Sequence, residues 1–117
     1  MSNIDEYLTE SWEKALLPTN STLQQAISKL DETAFQIAII TGSDRVLVGT
    51  LTDGDIRRGL LRGMGMSSSI EPIINREPLV SPPDFGRDSV LQLMRANRIH
   101  QLPIVDENRL VVGLHLL

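Results

Sequence analysis

The 117-residue chain repeats itself at an interval of 64 residues, and an internal period narrows the available folds before any other signal is read. Shifted by that interval without a gap, Pro18 falls on Pro82, Ala26 on Val90, Ile27 on Leu91 and Leu30 on Met94. Farther along, Ile40 falls on Ile104, Arg45 on Arg109, Val48 on Val112 and Gly49 on Gly113. Few of the superposed residues are identical, but apolar positions and turns stay in phase. Each half is too short to bury a core alone, so the two must share one.

Residues from Ile4 to Leu17 offer a helical apolar stripe of Tyr7, Leu8, Trp12, Ala15 and Leu16. Asn20, Ser21 and Thr22 are N-cap candidates, and Ser21 with Gln24 fits a capping box ahead of the helical spacing of Leu23, Ala26, Ile27 and Leu30. The run Phe35 to Ile40 reads as a buried strand, Thr41 to Asp44 as a turn, and Arg45 to Thr52 as the next strand. A helix opening at Asp53 or Asp55 is expected to end near Gly63. The glycine- and serine-rich stretch Gly63 to Ser69 links the halves, and Ile70 to Asn75 forms a short helical turn. The second half repeats the order: Asp84 as N-cap, Val90, Leu91 and Met94 on a helix face, a strand from His100 to Val105, a turn, and a strand from Arg109 to Leu116. The expected divisions are an opening segment 1–17, a first repeat 18–63, a linker 64–75 and a second repeat 76–117.

Apolar residues make up 41% of the chain and aromatics only 3%, so Ile, Leu, Val and Met must build the core. A formal net charge of −4 and no aromatic stacking platform argue against nucleic acid as a partner. No cysteine is present, which removes disulfides and thiolate metal sites. The acidic start, Met1 to Glu6, has no apolar segment of signal-peptide type. No apolar run nears the length that spans a bilayer, so no membrane partner and a cytoplasmic location are the expectations. The chain stops inside the apolar strand Val111 to Leu117, which reads as a piece cut from a longer protein.

The chemistry concentrates in Gly49-Thr50-Leu51-Thr52-Asp53-Gly54-Asp55-Ile56-Arg57-Arg58. Here a strand passes into a helix, with a hydroxyl (Thr52) three residues before a carboxylate (Asp55). Helix N-termini expose unpaired N–H groups that attract anions, and a carboxylate accepts hydrogen bonds from vicinal sugar hydroxyls. The combination reads as a cradle for a nucleoside phosphate. The same residues also read as a strand end and a helix cap, and Asp53 with Asp55 as an Asp-x-Asp cation pair, though hard cations want several more oxygens. No Ser-His-Asp or Cys-His arrangement and no phosphate-binding P-loop stand out, so the chain is not expected to be an enzyme by itself.

These residues resemble the cystathionine-β-synthase (CBS) domain, whose tandem pairs form the Bateman module. The resemblance runs from about Trp12 onward. It is carried by Gly49 to Asp55, which matches the family's Gly-x-x-[Ser/Thr]-x-x-Asp motif, and by Arg98-Ile99-His100-Gln101-Leu102-Pro103-Ile104-Val105-Asp106, similar to its Leu-Pro-Val-Val-Asp strand and approach. It implies an α/β (α+β) fold of two βαββα-type repeats related by pseudo-two-fold symmetry. More narrowly, Thr52 to Leu60 resembles pairs fused to sugar-nucleotide nucleotidyltransferases.

The resemblance further implies a regulatory module that senses AMP, ADP or ATP, requires no cofactor, forms homodimers and controls an attached catalytic domain absent from this chain. A ligand-free dimerisation module is the alternative, and S-adenosylmethionine remains open as a ligand. Carried over residue by residue, Thr52 and Asp55 hold the ribose, and apolar lining comes from around Leu16, Leu17, Ile37 and Ala38. Arg57, Arg58, Arg98 and His100 are candidate cationic neighbours of the phosphates, of which Arg57 and Arg58 point to different sides of their helix. The second half departs from the motif. The position equivalent to Thr52 is Leu116, and that of Asp55 lies past Leu117, so one competent site per chain is expected.

Overall fold

The computed structural model describes residues 11–117. A 3-10 turn (Trp12–Ala15) leads into β1 (Leu16–Pro18), α1 (Leu23–Glu32), β2 (Ala38–Thr41), β3 (Leu47–Leu51) and α2 (Asp53–Leu61). After a 3-10 turn between β2 and β3 (Ser43–Arg45), a third one (Glu71–Ile73) precedes α3 (Arg87–Ala96), β4 (Gln101–Val105) and β5 (Val111–Leu116). The fold is mixed α/β. In the first sheet β1 runs parallel to β2, and β2 antiparallel to β3. In the second, β4 and β5 pair antiparallel, and Ser81 bridges Ile104 in parallel where the first half has β1.

The 64-residue interval holds at the level of individual strand partners. Leu17 pairs with Ile40 and Ser81 with Ile104; Ala38 pairs with Leu51 and Leu102 with His115; Ile40 pairs with Gly49 and Ile104 with Gly113. Even the bulge recurs, between Ile40 and Thr41 and again between Ile104 and Val105. A bulge adds a residue to one strand and bends it, so its repetition fixes the register of both hairpins. Arg45 and Arg109 both take left-handed backbone, with φ of 64° and 67°.

Several local expectations change. Leu16 and Leu17 are extended, not helical, because Leu17 pairs with Ile40; Tyr7 and Leu8 lie outside the described residues. The box that opens α1 is Thr22 with Gln25: the Thr22 N–H donates to Gln25 Oε1 at 2.8 Å, and the Gln25 N–H donates to Thr22 Oγ1 at 3.3 Å. Ser21 instead donates its hydroxyl to the Pro18 carbonyl at 2.7 Å. Helix α3 starts behind Gly86, so Asp84 is no cap. Strand β3 begins at Leu47 because Asp44 and Arg45 turn the chain through left-handed backbone.

Two larger cores result. Leu17, Leu23, Ala26, Ala38, Ile40, Leu51 and Ile56 pack beneath α1 and α2, closed by Ile70, Ile73 and Ile74 from the linker. The second belongs to both halves: Trp12, Phe35, Ile37, Ile39 and Leu47 meet Val105, Val111 and Leu114. Val46 forms an antiparallel bridge with Leu110, its own counterpart one interval away, so the pseudo-two-fold axis passes between them. Beside it the Leu47 N–H donates to the Arg109 carbonyl at 2.9 Å, and Arg109 Nε donates to the Leu47 carbonyl at 3.2 Å. No helix among the described residues is long and apolar enough to cross a membrane.

Candidate functional site

The site begins where β3 gives way to α2. Thr52 is extended, with φ −125° and ψ 174°, and caps the helix; Asp55 lies in its first turn. Asp55 Oδ2 accepts from the Thr52 N–H at 2.9 Å and from the Thr52 hydroxyl at 3.2 Å, while Oδ1 accepts from the Arg58 guanidinium. A carboxylate can only accept, so the proton between Thr52 and Asp55 comes from the threonine. Thr52 Oγ1 also faces the Asp55 N–H in the capping box, and with two lone pairs it keeps one for another donor that approaches. Asp55 thus serves as a helix cap and as the group that orients the Thr52 hydroxyl.

A second wall comes from the linker. Thr50 and Asn75 exchange two backbone hydrogen bonds, each 3.0 Å, in an isolated antiparallel bridge. Gly49 makes this approach possible: a Cβ there would stand 2.3 Å from the Asn75 carbonyl oxygen and 2.5 Å from Ile74 Cγ2. The motif's glycine is a steric necessity of the linker crossing, quite apart from any ligand. The third wall follows α3. Arg98 takes left-handed backbone, φ 55°, which turns the chain out of the helix and into β4. The His100 carbonyl accepts from the Leu117 N–H at 3.0 Å, which ties this wall to the end of β5.

Together the walls enclose a cavity of about 270 Å³. Ile37, Thr50 and Thr52 line it from the first half, Asn75 from the end of the linker, Pro78 and Leu79 from the stretch that follows it, and Arg98, Ile99, His100, Gln101 and Pro103 from the second half. Its apolar lining, one oriented hydroxyl and two groups able to carry positive charge face each other without a carboxylate among the lining residues. Such a lining suits a molecule with a flat apolar part, a hydroxyl donor and an anionic end.

Of the ten residues singled out from the sequence, the cavity gathers Thr52, Ile37, Arg98 and His100, while Leu16 packs against the shared core. Asp55 stands behind Thr52. Ala38 is fully buried under α1 and α2, because neighbouring residues of an extended chain face opposite ways and Ile37 takes the cavity side. Leu17 belongs to the same core and borders a separate open cleft along α1. Arg57 and Arg58 are exposed on α2; Arg58 reaches back to Asp55, and Arg57 lines no part of the cavity. Asp53 borders a groove with Ile27, Leu30 and Asp31, so the Asp53–Asp55 pair does not converge. No group of three or more potential metal-ligating side chains occurs among the described residues.

The lining from Asn75, Pro78 and Leu79, at and just after the end of the linker, escaped the sequence reading. One signal pointed to it: a glycine in mid-strand marks a close approach by other backbone. Ile99, Gln101 and Pro103 lie within the strand signature already recognised, where alternation from His100 places alternate residues on one face.

A family model described as CBS domain matches residues 14–62 and 70–114. The CBS domain-containing protein YhcV of Bacillus subtilis (strain 168) is 31% identical over 112 residues, covering 95% of this chain and 78% of that protein. The chain spans about a third of the length of other curated relatives, from Helicobacter pylori, Rickettsia prowazekii and Chlamydia muridarum. Among solved structures, a CBS domain protein from Pyrobaculum aerophilum complexed with AMP is similar at a TM-score of 0.75 and 20% identity, over 86% of this chain and 78% of that one. The CBS domain pair of protein MJ0100, in complex with 5′-methylthioadenosine and S-adenosyl-L-methionine, is similar at 0.75 and 27% identity, over 86% of this chain and 79% of that one. With two matched segments set 64 residues apart in register and meeting across a pseudo-two-fold axis, the chain belongs to the CBS domain family and carries that domain as a tandem pair.

Proposed function

We propose that this pair is a regulatory module that binds an adenosine nucleotide, AMP, ADP or ATP, in the cavity between its halves. One observation carries the reading: the cavity sets Thr52 of the first half opposite Arg98 and His100 of the second. A sugar hydroxyl donates to Thr52 Oγ1, whose own proton is held by Asp55. An ionised phosphate has no proton to donate and is directed to Arg98 and His100. Ile37, Pro78, Leu79 and Ile99 supply apolar contact for the base. Solved CBS pairs bound to AMP and to S-adenosyl-L-methionine support the ligand class.

A ligand that touches both halves favours the arrangement in which both sets of contacts are made, and its differential affinity is the whole of its leverage. An attached catalytic domain in a longer cytoplasmic parent would feel that bias, with homodimerisation through the pairs. The sequence resemblance points to a sugar-phosphate nucleotidyltransferase as that domain. The enzymes named among the relatives, homoserine O-acetyltransferases and an inosine-5′-monophosphate dehydrogenase, differ in activity from it and from each other.

Calorimetry and thermal shift with AMP, ADP, ATP, GTP and S-adenosylmethionine test the reading, with Thr52→Val beside the wild type. A ligand of the folded state at ~100 times its dissociation constant adds about 2.7 kcal/mol. Stabilisation by an adenosine nucleotide that Thr52→Val abolishes supports it; silence across the panel refutes it. A second reading, a ligand-free assembly module, is favoured by the full use of Asp55 in capping α2 and binding Arg58, and silence from a folded dimer would select it.

A further inference from the structure

A groove of about 450 Å³ runs between the stretch that enters α3 and the turn from β4 to β5. Val80, half-buried, and Val105, buried, form its floor, and both belong to or pack against the core that the halves share. Pro82 and Pro83 extend the apolar surface outward, where Asp84, Asp106 and Glu107 complete the lining. The groove shares no residue with the nucleotide cavity.

The chain leaves these carboxylates uncompensated. Asp106 has a local task, since its Oδ1 accepts from the Asn108 and Leu110 N–H groups, both at 2.9 Å. Asp84 and Glu107 have none. Neither forms an ion pair with a described residue, and α3 begins behind Gly86, so Asp84 caps nothing. The arginines nearest in the chain turn elsewhere: Arg87 donates to the Leu116 carbonyl at 2.9 Å, and Arg109 to the Leu47 carbonyl at 3.2 Å. No lysine or arginine lines the groove. Moved back by one interval, Asp84, Asp106 and Glu107 become Asn20, Gly42 and Ser43. The repeated backbone therefore does not call for acid at these positions, and the second half keeps three like charges together beside an apolar floor.

A metal ion does not answer this arrangement, because no group of three or more ligating side chains able to hold one occurs among the described residues. An ammonium or guanidinium on a hydrocarbon stem does. Its methylenes lie along Val80, Val105 and the proline rings, while its head stays beside the carboxylates and water. The groove has more room than one such side chain fills, and Pro82 and Pro83 offer apolar rings without backbone donors to whatever flanks it. We propose that the groove docks a basic segment of a partner protein, a lysine or arginine side chain set between apolar residues. This inference is independent of the nucleotide reading and gives the pair a second surface through which a partner can be recognised.

NMR titration of the whole chain tests it. Capped peptides with one lysine or one arginine between two leucines are expected to shift the amide signals of Val80, Asp84, Val105 and Glu107, with Kd on the order of 1 mM. The peptide with norleucine in place of lysine removes the charge, and spermidine keeps charge without a polypeptide; each is expected to bind at least roughly 5-fold more weakly. Asp84→Asn combined with Glu107→Gln, which spares the turn-forming Asp106, is expected to weaken both basic peptides by roughly 5-fold and to leave the ligand-free Tm unchanged or higher. Basic peptides that do not perturb the groove, or that bind the double variant as they bind wild type, overturn the proposal. Spermidine binding as tightly as the peptides overturns it in favour of a free amine. A Tm that falls in the double variant overturns it by assigning the carboxylates to the fold, and a changed oligomeric state in sedimentation by assigning the groove to contact between copies of this chain.

Discussion

Gly49 and Gly113 stand at equivalent positions one interval apart, each opposite an isoleucine across a bulged hairpin, yet alanine should affect them very differently. At Gly49 the new methyl would lie 2.3 Å from the Asn75 carbonyl oxygen and 2.5 Å from Ile74 Cγ2. The first obstacle is backbone, so the linker strand must move away from β3. That movement breaks the two 3.0 Å bonds between Thr50 and Asn75, at about 1 kcal/mol each. It also loosens Ile74, one of the residues that close the first core; overpacking of this kind costs ~1–3 kcal/mol. The expected loss is about 3–5 kcal/mol, or roughly 12–20 °C in Tm for a chain of this length.

At Gly113 the methyl would meet Ile104 Cδ1 at 2.9 Å, the far end of a side chain that can rotate, at a cost of about 1 kcal/mol or less. Thermal and urea melts of Gly49→Ala and Gly113→Ala, measured together, check the difference. The Gly49 variant should also lose nucleotide binding, since Thr50 and Asn75 form the cavity's back wall. Equal costs at the two sites, or a neutral Gly49→Ala, would refute the account of the linker crossing.

Asp55→Ala removes the carboxylate that holds the Thr52 N–H and hydroxyl and should cost about 1–2 kcal/mol in melts without ligand; a variant as stable as wild type would deny Asp55 its capping role. Arg98→Ala should weaken AMP by at least roughly 5-fold, steepening with each added phosphate, while adenosine itself is unaffected in the same titration. Trp12, the one tryptophan of the chain, is 3% exposed in the shared core with the Arg45 guanidinium 5.6 Å from its ring centroid. Trp12→Ala should cost about 3–5 kcal/mol in urea melts, and the wild-type emission should red-shift when the halves part.

What the sequence made legible was whatever depends on spacing. The interval between halves needs no knowledge of contacts, because matched backbones place turns and apolar residues at matched positions; strand partners and bulges then agreed residue for residue. The errors arose where two local patterns competed. Trp12, Ala15 and Leu16 satisfy a helical stripe, but parallel pairing of Leu16 with Ile39 ends the helical turn at Ala15 and makes Leu16 the start of a strand. Ser21-x-x-Gln24 and Thr22-x-x-Gln25 are equally good capping boxes on paper. The choice falls on Thr22 because the Gln24 N–H, which a Ser21 cap would have to accept, donates to the Met66 carbonyl at 3.0 Å. The cavity was half legible: Thr52, Arg98 and His100 belong to strand and helix signals, whereas Asn75, Pro78 and Leu79 lie in an irregular stretch at the junction of linker and second repeat, whose path only tertiary packing decides.

The interval also explains why two like backbones present unlike chemistry. Moved back by 64 residues, Arg98 becomes Ala34, Ile99 becomes Phe35, His100 becomes Gln36 and Pro103 becomes Ile39; moved forward, Thr52 becomes Leu116. The arginine, the histidine and the oriented hydroxyl all vanish from the counterpart position. Phe35 and Ile39 are instead buried in the shared core, with Leu116 packed against it. Apolar packing therefore closes the counterpart position, while the cavity beside Thr52 stays open between the halves. Under the nucleotide proposal, a ligand that seats against both Thr52 and Arg98 favours the arrangement of the halves in which both contacts are made, and its leverage is its differential affinity for that arrangement.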